Sequence, residues 1–187
     1  MPSFPDLVIA RHGVRLRPLG EEDVPLIAVA CSDPLTQHWL PMPRPYTEES
    51  ARVFVRQIAR DELASGNAIE RAIEVDGQFV GVIGLKRTDW ATAQTEAGYW
   101  LGPWARGRGL MARALCAITD WALDECGIER VEVRAAPGNT ASLATARRAG
   151  FVEEGTLRSA GLVYDGRVDL VVFSRLGSDP RPSFERD

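Results

Sequence analysis

Residues 92 to 135 constrain the fold of this chain more than any other stretch. Thr92 to Leu101 reads as a strand, passes through Gly-Pro and "ARGRG", and runs into a helical pattern from Gly107 to Cys126; a short strand, Arg130 to Ala135, follows. Leu110, Ala114, Ile118, Trp121 and Ala122 stack along one stripe of that helix. A strand, a helix and a second strand in this order predict one parallel strand pair with the helix lying across the sheet.

The other strand signals predict antiparallel pairing. Ala68 to Val75 and Phe79 to Leu85 flank Asp76-Gly77, and the strand from Phe151 onward meets Val168 to Ser174 through Asp165-Gly166. Both dipeptides suit tight hairpins. Val14 to Leu19 alternates as a half-buried strand. Leu26, Ile27, Ala30 and Cys31 have helical spacing in a segment that Pro34 ends, and Thr47 is a suitable N-cap for a helix that carries Ala51, Phe54, Val55 and Ile58 and stops near Gly66. Thr140 to Ala149 reads as a short helix, and "PLTQHWLPMPRPY", with four prolines in thirteen residues, as a loop bordering a pocket. The expected architecture is α+β: a single mixed, mainly antiparallel sheet with helices on both faces. Residues 1–13 form an N-terminal extension, 14–176 the domain, and 177–187 a flexible tail.

Composition narrows the function. A net charge of −4 and a pI near 5.3 leave no electrostatic footprint for direct nucleic-acid binding, whereas a cationic partner fits. Met1 to Val14 holds only a four-residue apolar run, Leu7 to Ala10, so no secretory leader or membrane span is expected. Three dispersed cysteines, Cys31, Cys116 and Cys126, read as buried thiols in a reducing cytoplasm. Two histidines, with no Cys or His pair at ligand spacing, give no metal site.

The turn before the long helix carries chemistry. A helix start leaves roughly four backbone N–H groups unpaired and bears about half a positive charge, so it attracts anions. Gly107 and Gly109 let a bulky phosphate reach the main chain, and Arg106 and Arg108 add charge. Taken alone, the stretch equally suits a solvated turn. No lysine follows as a Walker loop requires. Gly107 to Ala112 fits the dinucleotide fingerprint G-x-G-x-x-A, but that fold needs several more parallel βα units and only about fifty residues follow the next strand.

Here the sequence resembles the GNAT N-acetyltransferases. Their pyrophosphate loop reads Q/R-x-x-G-x-G/A after the fourth strand, matched by Arg106-Gly107-Arg108-Gly109-Leu110, with Met111 where the family has Gly or Ala. Downstream, "NTASLATARRAGF" is similar to the family's N-x-x-S/A segment followed by Gly-Phe, through Asn139, Ser142, Gly150 and Phe151. "GYWL", Gly98 to Leu101, resembles the ribosomal-protein N-terminal (alanine) acetyltransferase branch. The resemblance runs from Val14 to Leu176. It implies the GNAT (acyl-CoA N-acyltransferase) fold, acetyl-CoA as donor with coenzyme A as product, and no metal. It also implies pantetheine along the strand ending in Trp100 and Leu101, and donor binding by Arg106, Gly107, Arg108, Gly109, Leu110, Met111, Ala112, Asn139 and Ser142.

Acetyl transfer needs a neutral amine, donors for an oxyanion and a proton for the departing thiolate. Many GNAT relatives supply that proton from a tyrosine seven residues after the asparagine; that position is Ala146 here, so the resemblance points to Ser142 as general acid. A helix-start hydroxyl that serves the backbone is the alternative for Ser142. Glu96, on the same side of its strand as Gly98 and Trp100, is the first candidate base and Glu70 the second. Trp39, Tyr46 and Trp90 are candidate walls of an acceptor pocket. An α-amino group, with a pKa of about 7.7–8.0 against about 10.4 for lysine, costs about 3.4 kcal/mol less to deprotonate at neutral pH. The expected activity is therefore acetylation of a protein N-terminal amine in a ternary complex. Transfer to a small amine such as an antibiotic or polyamine, and a non-catalytic acyl-CoA sensor, stay open, as do acyl length and assembly, including a homodimer.

Overall fold

A computed structural model of the chain describes residues 2–184. The strands are β1 (Ile9–Arg11), β2 (Val14–Arg17), β3 (Ile69–Val75), β4 (Gln78–Asp89), β5 (Gln94–Leu101), β6 (Arg130–Ala135), β7 (Val152–Val163) and β8 (Gly166–Leu176). They form one sheet in the order β1-β2-β3-β4-β5-β6-β8-β7. Every neighbouring pair is antiparallel except β5 and β6, the pair that the strand-helix-strand passage requires.

The long helix, α5 (Leu110–Glu125), lies on one face of this sheet with α6 (Thr140–Arg148). Ile118, Trp121 and Leu115 of α5 are buried with Ile69, Ile83, Leu85, Val131 and Phe173 of the strands. The opposite face is covered by α1 (Val24–Ser32), α3 (Glu48–Val53) and the turn that follows it, which bury Ile27, Cys31, Ala51 and Val55 with Ala72 and Val82. Helices therefore lie on both faces of an α+β sheet. Among the described residues no helix is long and apolar enough to cross a membrane.

Four local expectations need correction. The extension contributes β1, which pairs with β2 because His12 (φ 54°) and Gly13 (φ 74°) both adopt the left-handed region that a tight hairpin demands. The proline-rich stretch is not all loop. Its first six residues form α2 (Pro34–Trp39): Asp33 caps this helix by accepting from the Thr36 N–H at 3.0 Å, and Pro34 stands where no helical N–H is needed. The helix capped by Thr47 is broken by a π-turn, Phe54–Ile58, before α4 (Ala59–Ser65) ends at left-handed Gly66. The wider turn breaks the register of the apolar face, so Ala51 and Val55 are buried while Ile58 is 51% exposed. Finally, in the expected tail residues 185–187 lie outside the described residues, and in 177–184 Arg181 forms ion pairs with Asp124 and the Phe184 ring meets the edge of His12.

Candidate active site

The site is organised by a divergence within the sheet. β5 and β6 are paired only over Gln94–Glu96 and Arg130–Glu132, so residues 97–101 of β5 present a backbone edge without a β6 partner. Such an edge accepts an extended ligand as an added strand. Trp100 and Leu101 lie on this free edge, with side chains on opposite faces: Trp100 packs near Phe79, and Leu101 joins the α5 core.

The edge leads into the glycine-arginine turn. Gly107 and Gly109 have φ of 77° and 71°, and Gly109 is the N-cap of α5, so the helix starts at Leu110 rather than at Gly107. Leu110, Met111 and Ala112 bury their side chains at 7%, 6% and 2% exposure, so their outward contribution is the unpaired N–H groups of a first helical turn. This resolves the Met111 departure, because its side chain points into the core, away from the turn. A Cβ on Gly107 would meet nothing within 4 Å; one on Gly109 would come 3.2 Å from the Arg148 guanidinium. Exposed Arg108 and Arg148 bring two cations to the turn, and the whole fits a pyrophosphate. Arg106 does not join them. Its guanidinium donates to Asp33 at 2.6 Å and to Thr36 at 2.8 Å, tying the turn to the start of α2.

On the α1–α3 side a groove of about 600 Å³ opens over β4 and β5, lined by Leu40, Pro41, Met42, Pro43, Tyr46, Val53, Phe54, Ile58, Val82 and Trp100, with Glu70 and Lys86 on its floor. Glu70, Gly84 and Gly98 are register partners across β3, β4 and β5. The Glu70 carboxylate lies over Gly84 where a Cβ would sit, and the Lys86 ammonium lies 2.9 Å from where a Gly98 Cβ would be. Two absent side chains make the floor. Burial pushes the Glu70 carboxyl up to about 7, against the opposing pull of Lys86.

Glu96, the first candidate base, is placed differently. It is buried at 8% exposure and surrounded by Arg87 at 3.0 Å, Lys86 at 3.4 Å and Arg134 at 3.6 Å. Its carboxylate is engaged by these three cations. Of the two candidates, Glu70 lines the groove and Glu96 does not. Tyr46 lines the groove, whereas Trp39 does not, its ring lying 3.1 Å from where a Gly138 Cβ would be. Trp90 lies elsewhere: its ring packs at a tilt against Phe4, and it donates to the Gly66 carbonyl at 2.8 Å.

Ser142 and Asn139 stand across the free edge, at the start of α6. Asn139 Oδ1 accepts from the Ser142 N–H at 3.2 Å, a helix cap. The Ser142 hydroxyl is paired with the Tyr99 hydroxyl of β5 at 2.9 Å. Burial pushes the Tyr99 phenol up to about 12, so it stays protonated at neutral pH. Ala146 is fully buried in the core. Reading the sequence singles out neither Tyr99 nor Arg148. Tyr99 stands within "GYWL", but only its position beside α6 gives it a role.

Residues 14–152 match the family model described as acetyltransferase (GNAT) domain. A Bacillus subtilis (strain 168) protein, YdaF, provisionally named a ribosomal N-acetyltransferase, is 35% identical over 117 residues, covering 63% of this chain and 64% of that protein. The Escherichia coli (strain K12) ribosomal-protein-serine acetyltransferase is 28% identical over 54% of this chain and 56% of its own length. Each of these alignments spans less than two thirds of the relative. Among solved structures, Mycobacterium smegmatis RimJ in complex with CoA-disulfide superposes with a TM-score of 0.85 at 24% identity, covering 95% of this chain and 90% of that one. RimL, a ribosomal L7/L12 α-N-protein acetyltransferase solved with coenzyme A, gives 0.82 at 25% identity over 91% and 98%.

Proposed function

The chain belongs to the GNAT acetyltransferase family, and from that premise we propose that it acetylates the α-amino group of a protein N-terminus, using acetyl-CoA, by direct attack in a ternary complex. One observation carries the reading: a groove floored by Glu70 reaches the free β5 edge beside the Tyr99–Ser142 pair. The names of YdaF and RimL support the acceptor class.

Bound acetyl-CoA supplies a thioester whose carbonyl carbon an amine attacks. The first-turn N–H groups of α5, with Arg108 and Arg148, hold its diphosphate, and residues 97–101 hold its pantetheine arm. Glu70 takes the proton of the incoming ammonium. As the C–S bond breaks, Ser142 gives its hydroxyl proton to the sulfur; the nitrogen loses its second proton to solvent, and Ser142 regains one from solvent through Tyr99. An α-amine needs little help, since its own pKa is within about one unit of that of Glu70.

Incubation with labelled acetyl-CoA and matched N-terminal and lysine-bearing peptides tests this, read by mass. Labelling confined to the α-amine is expected. Equal labelling of lysine side chains overturns the acceptor assignment.

A further inference from the structure

Of the groove's features, the apolar wall exceeds what amine capture requires. Holding an ammonium needs a carboxylate and a polar setting, which Glu70 supplies; most of the remaining surface is hydrocarbon and aromatic. The wall is also built at some local cost. An uninterrupted helix would turn Ile58 onto the same side as Ala51 and Val55, yet the π-turn at Phe54–Ile58 leaves it 51% exposed beside half-buried Phe54. Wide turns of this kind concentrate at functional sites. Single exposed apolar residues are ordinary, but Ile58 and Phe54 continue into Met42 and Trp100 as one surface leading down to Glu70.

We infer that the favoured acceptor carries a bulky apolar side chain on the carbon bearing its reacting amine, seated against Met42, Phe54, Ile58 and Trp100 while Glu70 holds the nitrogen. The inference rests on the groove being the acceptor site. Shape agrees with it: the Glu70 carboxylate and the Lys86 ammonium occupy the floor over Gly84 and Gly98, and the hydrocarbon lies above them. A small polar first residue such as Ser leaves that wall wet. Leu, Met or Phe excludes the water.

Peptides identical except for residue 1 (Leu, Met, Phe, Ser or Ala), together with leucinamide and serinamide, would be compared by coenzyme A release and by mass. Leu, Met and Phe are expected to exceed Ser and Ala about 10–100-fold in kcat/KM. Ile58→Ser and Met42→Ser should reduce that ratio severalfold. Equal or reversed ratios among active peptides overturn the inference and leave the α-amine reading intact. Turnover of leucinamide over serinamide with no peptide labelled overturns the protein acceptor and keeps the inference. Should nothing be acetylated, the proposed function falls; calorimetry of the same peptides on the coenzyme A-loaded protein then decides, and equal affinity for Leu and Ser peptides overturns the inference.

Discussion

The Tyr99 hydroxyl lies 2.9 Å from the Ser142 hydroxyl, joining β5 to the first turn of α6 across the opening where β5 and β6 part. A serine alone is a weak acid, and a phenol behind it can both orient its proton and replace it. Ser142→Ala should lower kcat by about 10²-fold, as expected for loss of general acid catalysis. Tyr99→Phe should lower it by about tenfold. Both should bind coenzyme A with the parent's affinity in calorimetry; a loss of affinity in Ser142→Ala would make Ser142 a donor-binding residue instead.

The raised Glu70 carboxyl predicts a pH dependence. It is the deprotonated form that accepts a proton, so kcat/KM should rise through about pH 7, below the limb at about 7.7–8.0 that belongs to the substrate amine. Glu70→Gln should remove the enzyme's limb and lower the plateau, while Glu96→Gln keeps the limb. Stability should move the opposite way. Between the ordinary glutamate pKa and about 7 the native state holds a proton that the unfolded chain has released, so stability falls as pH rises, and Glu70→Gln flattens that fall in urea titrations.

Substitutions in the glycine-arginine turn should separate strain from contact. Gly107→Ala and Gly109→Ala both force a side chain into left-handed backbone, at about 1 kcal/mol each. Only the second also presses on Arg148. Gly109→Ala is therefore expected to weaken coenzyme A binding more than Gly107→Ala, by about tenfold against about threefold, measured by calorimetry.

The arginines divide by partner. Arg108→Ala and Arg148→Ala should each weaken coenzyme A binding severalfold and reduce its salt dependence, because both cations stand exposed at the turn. Arg106→Ala should instead cost about 1–3 kcal/mol of stability through loss of the Asp33 and Thr36 bonds, read from the urea midpoint.

Away from the site, buried Arg175 donates to Asp120 at 2.7 Å and to the Cys116 sulfur at 3.3 Å, with His12 also 2.7 Å from Asp120. Removing one partner of a buried ion pair leaves the other uncompensated. Arg175→Ala should therefore destabilise the protein by about 3–5 kcal/mol, seen as a lower urea midpoint with an unchanged m-value.

What the sequence by itself determined is what depends on near neighbours along the chain. The hairpin at Asp76-Gly77, the Thr47 cap, the Gly66 stop and the apolar stripe of α5 follow from turn chemistry and periodicity within a few residues. The turn from Arg106 to Gly109 was legible for the same reason. Tertiary structure alone separates the surroundings of Glu96, the first candidate base in sequence, from those of Glu70, the second, on the same face of the sheet; one lies among three cations, the other over Gly84 in a groove. It also moved Trp90 away from the groove, turned Arg106 toward Asp33 and brought Tyr99 to Ser142. These outcomes rest on strand register and on contacts between residues tens of positions apart, and the charge and burial that decide a proton's affinity exist only once those contacts have formed.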